Sequence, residues 1–416
     1  MVRHLKTKLL MSVFLMFSVC FPFAAIGSEN GIVIEPLMEG ADMAAHAVES
    51  YWTAELLASA KPMPTPTIIV DPSSLEFPLI MEQDSEQALP GYSPGCSPAN
   101  ASKCTNKIYT LSPDSPLFSA SAAYGDLIQP LHGTKPTNPK DGPYGPFQRW
   151  SEAAPITAFP KSTMGKLFFT LNNANYVCSA TVIGRSTVVT AGHCNSDGKG
   201  HMATNRLFCP SYQDAASAAR GCWAVTTSVV SSRWHTLGDP DYDYACLVTN
   251  TTGTVVANKI GNVTGWMGRA WNFAPSQAER TFGYPAEAPF NGKRLMTTAS
   301  TEWYTQDFVA GGQVSKIIGS DLTGGCSGGS WVLGWTGAAT GEIADTDGSS
   351  ATDPGSNWVN GVNSHKRCLV NCNTPPTTTN GVFWQEMTSP PFKKTTAIGE
   401  SEDVIGACLS HANNNP

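Results

Sequence analysis

Three side chains in this sequence have the types and spacing for acyl transfer: a serine in a glycine-rich turn, a histidine closing an apolar run, and an aspartate opening another. The serine is Ser327, within Asp321-Leu322-Thr323-Gly324-Gly325-Cys326-Ser327-Gly328-Gly329-Ser330. Glycines on both sides permit a tight bend, an outward hydroxyl and backbone N–H groups turned towards an anion. A serine hydroxyl is a weak nucleophile near neutral pH and needs a base to take its proton. His193 closes the run Val188-Val189-Thr190-Ala191-Gly192-His193-Cys194, and imidazole titrates in the range that job requires. Between them, Gly238-Asp239-Pro240-Asp241-Tyr242-Asp243 offers three carboxylates. Asp243 is expected to orient the histidine, because Tyr244-Ala245-Cys246-Leu247-Val248 follows it as a buried-strand run. Asp239 and Asp241 are expected on the solvated side of the turn. A calcium loop is the rival reading of Asp-x-Asp-x-Asp; it fails, because Tyr244 stands where glycine is needed and Asn250 where glutamate is needed. Gly-x-Ser-Gly-Gly centres on Ser327 alone, so Cys326 is expected to be a disulfide partner or a buried thiol rather than the nucleophile.

Positioning these residues falls to short strands. Lys166 to Thr170, Tyr176 to Ile183, Thr187 to Thr190, Ala224 to Val230, Tyr244 to Val248, Arg294 to Thr298 and Ser330 to Leu333 are rich in β-branched and aromatic residues and bounded by turn formers. No βαβ alternation appears, which favours closed antiparallel barrels over a parallel sheet. Charged residues are 14% of the chain while Gly and Pro number 38 and 30, again a strand-and-turn composition. A net charge of -7 without a Lys/Arg cluster beyond the N-terminus excludes nucleic acid as a partner class. Arg3, His4, Lys6 and Lys8 precede the apolar run Leu9 to Phe23, and Ala25-Ile26-Gly27 offers a small-residue cleavage site; residues 1–27 read as a signal peptide. Residues 28–150, broken by recurrent prolines, read as a pro-region or linker, with Arg149-Trp150 a candidate cut. Residues 151–416 form the catalytic region.

Twelve cysteines fit an oxidising compartment and therefore secretion. Cys178–Cys194 would tie two strands beside His193, Cys209–Cys222 would close an alanine-rich loop, and Cys96–Cys104 and Cys368–Cys372 would close short ones. Cys246, Cys326 and Cys408 stay unassigned. No Cys-x-x-Cys occurs and Cys368 and Cys372 lack matching ligands, so zinc is set aside. No cofactor is called for, and a monomer acting on protein or peptide substrates is expected.

Thr190-Ala191-Gly192-His193-Cys194, with Gly325-Cys326-Ser327-Gly328-Gly329 downstream and Asp243 between, resembles the chymotrypsin/trypsin-like serine protease family, and within it the bacterial and fungal glutamyl endopeptidase-like branch. The similarity spans about 155 to 390. It implies an all-β fold of two antiparallel six-stranded barrels with the site between them, a secreted serine endopeptidase, a His193–Asp243–Ser327 triad, and an oxyanion hole from the N–H groups of Gly325 and Ser327. Cys326 stands where trypsin carries the aspartate of its activation switch, so activation would follow another route. Asp321, six residues before Ser327, matches trypsin's pocket aspartate and implies cleavage after Lys or Arg; a structural role is the alternative. In Val359 to His365, Asn363 stands where the glutamate-specific relatives carry a histidine, with Ser364 beside it. A catalytically silent binding protein or adhesin on the same scaffold is the competing class, opposed by the complete trio. An α/β-hydrolase esterase is excluded by the order His, Asp, Ser.

Overall fold

The structure is a computed structural model that describes residues 27–29, 31–35, 41–69, 87–89, 91–94, 131–132, 141–144, 147–152 and 156–412, the last apart from 214–216, 219, 274–276, 310–312, 336–356, 371–381 and 396. The n-region and apolar run of the signal peptide, Cys96, Cys104 and Cys372 lie outside the described residues.

Six strands form a closed antiparallel barrel: β5 (Met164–Leu171), β6 (Ala174–Val182), β7 (Thr187–Thr190), β8 (Thr204–Pro210), β9 (Trp223–Ser231) and β10 (Ala245–Thr249). The order is β9-β8-β5-β6-β7-β10, and β10 pairs back onto β9. Leu167, Val188, Trp223 and Leu247 share its inner face, while Phe168 and Val229 lie on the opposite face of their strands; all six are fully buried. A second ring follows from β11 (Ala278–Gly283), β12 (Met296–Gln306), β13 (Ser315–Gly319), β14 (Ser330–Leu333), β15 (Trp358–Val362), β16 (Lys366–Val370) and β17 (Val382–Ser389). Its order is β17-β13-β12-β11-β14-β15. β15 bends through 363–365 into β16, which pairs with β17, and Ser364 N donates to Thr388 O at 2.9 Å at the bend. With β15 and β16 as one bent strand, the second barrel also closes on six, as the resemblance implies.

Both barrels bury charge as well as apolar side chains; in the first, Arg206 is ion-paired to Glu35 and donates to Asn195 Oδ1 at 2.6 Å and Ser228 Oγ at 3.0 Å. In the second, Lys316 Nζ meets Glu279 Oε1 at 2.7 Å, and Arg367 grips Glu386 through Nε at 2.5 Å and Nη2 at 2.7 Å, with all four side chains buried. Buried charges persist only where partners satisfy them, as here.

The described residues before 150 pair with strands of both barrels. β1 (Ile32–Ile34) pairs antiparallel with β9, and Glu35 is ion-paired to Arg206. Helices α1 (Ala41–Tyr51) and α2 (Ala54–Ser59) follow; Trp52 between them packs on Phe168 at 5.6 Å and donates to Asn205 O. The chain then crosses as β2 (Lys61–Pro62) on β6 and β3 (Thr67–Ile69) on β16. β4 (Phe147–Ser151) pairs with β12, so Arg149-Trp150 lies inside a paired strand and not in an exposed loop. Helix α3 (Ser232–Leu237) leads from β9 towards the aspartate turn, and α4 (Ser401–His411) returns to the first barrel. Cys246 of β10 is bonded to Cys408 of α4, which assigns two of the three leftover cysteines. Cys178–Cys194 and Cys209–Cys222 are bonded as expected, and Cys368 is also disulfide-bonded. Among the described residues no helix is long and apolar enough to cross a membrane.

Candidate active site

His193 sits in a single 3-10 turn directly after β7. The turn needs glycine before the histidine: a Cβ on Gly192 would lie 2.6 Å from Trp234 Cδ1 and 2.9 Å from Asp243 Oδ1. The Cys178–Cys194 bridge fixes the other side to β6. Asp243 reaches His193 twice. Its Oδ1 accepts the backbone N–H of His193 at 2.7 Å, and its Oδ2 lies 2.8 Å from Nδ1. Both side chains are buried. Burial pushes the Asp243 carboxyl up, but the His193 imidazole, the Ser364 hydroxyl and the His193 backbone amide outweigh it and hold it below its ordinary range. An ionised Asp243 assigns the proton to Nδ1 of His193 and turns Nε2 into the acceptor.

The other two aspartates of the turn are not solvated. Asp239 is buried, paired with Arg233 at 2.7 Å and capping Asp241 N at 3.1 Å. Asp241 is fully buried and crosses to the second barrel, accepting from Phe308 N at 2.9 Å, Val309 N at 3.1 Å and the Ser315 hydroxyl at 2.6 Å. These carboxylates anchor neighbouring elements because the turn that presents Asp243 is wedged between the barrels.

Ser327 lies on the turn between β13 and β14. Its carbonyl accepts from Ser179 N at 2.7 Å, and the Ser179 hydroxyl donates to Gly325 O at 2.9 Å while accepting from Tyr284 N at 2.8 Å. Ser179 therefore docks the serine turn onto the strand that carries Cys178, a role its sequence context did not mark. Gly328 has φ +78°, and a Cβ there would lie 2.0 Å from Thr190 Oγ1 and 2.7 Å from Ala191 N, so the serine turn abuts the strand ending at His193. Ser327 Oγ and His193 Nε2 are both buried and neither makes a hydrogen bond. Cys326 is a buried free thiol among Ile318, Leu322, Trp331 and Met387, pushed up to about 12 by burial, so it holds its proton at neutral pH. Of the two expectations for Cys326, the buried thiol is the one realised.

The expected specificity residues sit differently from their sequence reading. The Asn363 amide is used internally: Nδ2 donates to Phe282 O at 2.9 Å and Cys326 O at 3.1 Å, and Oδ1 accepts from Trp331 Nε1 at 2.9 Å. It is a strut for the serine turn, with no atom left for a substrate. Ser364 stands behind Asp243, donating to Oδ2 at 2.5 Å, rather than lining a pocket. Asp321 is ion-paired to Arg149 of β4, whose guanidinium also covers the Phe290 ring at 4.7 Å. The cation that trypsin's pocket would draw from a substrate is supplied here by the chain itself. Lys366 lies near Asp321, Glu287 and Cys326, and burial pushes its ammonium below the ordinary lysine range against those acidic neighbours. Among the described residues, Cys178, His193 and Cys194 come closest to a metal-ligand cluster, but their two sulfurs are bonded to each other.

No protein-family profile and no curated protein matches the sequence. Among solved structures the chain is similar to chymotrypsin-like serine proteases. The protease Anisep from Arthrobacter nicotinovorans is 29% identical, with 64% of this chain and 98% of that one covered and a TM-score of 0.46. The thermostable serine protease AL20 from an extremophilic microorganism is 28% identical, with 61% and 98% covered and a TM-score of 0.46. A Glu endopeptidase is 17% identical, with 65% and 98% covered and a TM-score of 0.40.

Proposed function

We propose that this chain is a secreted serine endopeptidase, made as a pre-pro-protein, that hydrolyses peptide bonds through Ser327, His193 and Asp243. The observation that carries the reading is the double contact of buried Asp243 with His193, at the backbone amide and at Nδ1. A histidine held at two points, with Nε2 turned into an acceptor, is what a general base requires.

In the forward step Ser327 Oγ bonds to the substrate carbonyl carbon while its proton passes to His193 Nε2. The oxygen of the tetrahedral intermediate takes the negative charge and is met by the N–H groups of Gly325 and Ser327; one such donor contributes about 2.7–4 kcal/mol. His193 then returns the proton to the leaving nitrogen as the C–N bond breaks, leaving an acyl-serine. Water repeats the sequence with roles reversed and releases the acid. Asp243 stays ionised throughout and stabilises the imidazolium.

With Arg149 already on Asp321, a preference for Lys or Arg before the scissile bond is not expected, and peptides varied at that position should show none. The decisive test is purified Ser327→Ala. It should keep the parent's circular dichroism and unfolding midpoint, lose labelling by a fluorophosphonate probe, and lose peptide hydrolysis by about 10⁴-fold or more. Equal hydrolysis by the variant would reject the reading.

A further inference from the structure

Residues 61–69 cross the molecule at the site. Lys61 and Pro62 pair in parallel with Tyr176 and Val177 of β6, and Met63 N donates to Val177 O at 2.9 Å. The Met63 carbonyl accepts from Gly325 N at 3.1 Å. Lys366 N donates to Pro66 O at 2.9 Å, after which Thr67–Ile69 pair in parallel with Lys366–Cys368 of β16. The three attachment points are the residue before Cys178 in the first barrel, the amide assigned to the oxyanion, and the strand that continues from Ser364. A peptide backbone thus runs from one barrel to the other across the serine turn. At the serine turn it crosses, Ser327 is 0% and His193 2% exposed, and neither Ser327 Oγ nor His193 Nε2 has a partner.

The composition of the segment suits a resident rather than a substrate. Lys61-Pro62-Met63-Pro64-Thr65-Pro66 has proline at alternate positions, which fixes φ and leaves few N–H groups to satisfy. Such a chain is extended before it binds and loses little entropy on docking. The carbonyl on Gly325 belongs to the Met63–Pro64 bond. Acylation there would require His193 to protonate a nitrogen that carries the ring Cδ instead of a hydrogen, which crowds the approach of the imidazole. Thr65, 4% exposed with an unpartnered hydroxyl, is buried in the crossing.

We propose that Lys61–Ile69 is a peptide ligand that the chain carries for its own cleft: its Met63 carbonyl occupies the oxyanion amide, and the protein is latent until the segment leaves. This rests on the reading of Ser327 as nucleophile, but the groove contact is testable apart from it. The cleft's ligand class is an extended, proline-interrupted peptide presenting a carbonyl to Gly325 N–H.

The test compares the full-length parent with Thr65→Lys, whose ammonium cannot stay buried in the crossing, and with Met63→Pro, which deletes the N–H given to Val177. Two readouts are taken, the rate of fluorophosphonate labelling at Ser327 and hydrogen exchange at the Gly325 and Lys366 amides. We expect labelling at least about tenfold faster in both variants, as for release of an internal competitor. Both amides should exchange faster, and a synthetic peptide of residues 60–69 should restore slow labelling to Thr65→Lys. Parent and variants labelling at one rate with unchanged exchange would overturn the proposal. If no form labels but both amides exchange faster in the variants, the segment is the groove's ligand and the triad reading fails instead. If no form labels and exchange is unchanged, the proposal falls as well. Should Thr65→Lys fail to fold, Met63→Pro decides on the same readouts.

Discussion

Ser364 donates a hydrogen bond to Asp243, and that single fact orders the residues behind it. Its hydroxyl hydrogen points at Asp243 Oδ2 at 2.5 Å, so His365 Nδ1, 2.8 Å from Ser364 Oγ, must itself be the donor to that hydroxyl. Burial pushes His365 down to about 3, which keeps the ring neutral with its hydrogen on Nδ1. The phenyl edge contact with Phe308 at 4.6 Å holds the ring in that orientation. A chain of contacts therefore runs His193, Asp243, Ser364, His365, and its last two members act by positioning. Ser364→Ala removes a hydrogen bond to a charged group, worth roughly 1.5–3 kcal/mol in general. Part of that is shared by ground and transition states, so we expect kcat to fall about tenfold with KM unchanged, in steady-state hydrolysis of a peptide substrate. An unchanged kcat would show that Asp243 needs no support beyond His193.

Among elements, the turn Pro240–Tyr242 does more than present Asp243. Asp241 joins it to the second barrel through Phe308, Val309 and Ser315, and burial pushes its carboxyl up to about 7 against those donors. An unfolded aspartate titrates near about 3.9. Between those values the folded protein keeps a proton that the unfolded chain releases, so the stabilisation is full below the unfolded value and is lost as pH rises through about 7. Asp241→Asn mimics the protonated form, and its oxygen can still accept from both backbone amides. Parent stability in urea should drop between pH 4 and 8 by about 1–3 kcal/mol more than that of the variant. Parallel pH profiles would mean that Asp241 is ionised in the fold throughout.

For the whole molecule, an apolar core runs through both barrels, Cys246–Cys408 fastens α4 to the first, and buried ion pairs add to the packing. Glu386→Ala would take from Arg367, which is 0% exposed, the carboxylate it holds at two points, at a cost of about 3–5 kcal/mol in urea unfolding. Replacing both, as Arg367→Met with Glu386→Leu, should cost less than either change alone, because neither buried charge remains. A double variant as unstable as the single would show that the pair's geometry, and not its charge balance, supports the barrel.

The residues of the candidate centre were legible in the linear chain. His193, Asp243 and Ser327 stand in short runs whose neighbours are dictated locally, by a strand that must end at the histidine, a buried run after the aspartate and glycines around the serine. The same local rules found five strands of the first barrel and missed β8, where Asn205, Arg206 and Pro210 interrupt the apolar pattern. They passed over β11, β13, β16 and β17, because Glu279, Lys316, Arg367 and Glu386 look like surface residues until each meets its partner across the sheet. Burial of Asp239 and Asp241, the use of Asn363 as a strut, and the pairing of Asp321 with Arg149 likewise depend on partners many residues away. Contacts the sequence did not show also occur among the described residues before 150. Proline-rich composition describes how a segment behaves alone, where it buries little, and so reads as detachable. Tertiary structure supplies the sheet edges it lacks: β9, β6 and β16 take up β1, β2 and β3, and Gly325 takes up the Met63 carbonyl. Residue types settled which atoms are equipped to react, since reactivity is carried by local chemistry; which of them face solvent, substrate or the chain's own backbone was decided only by contacts between distant strands.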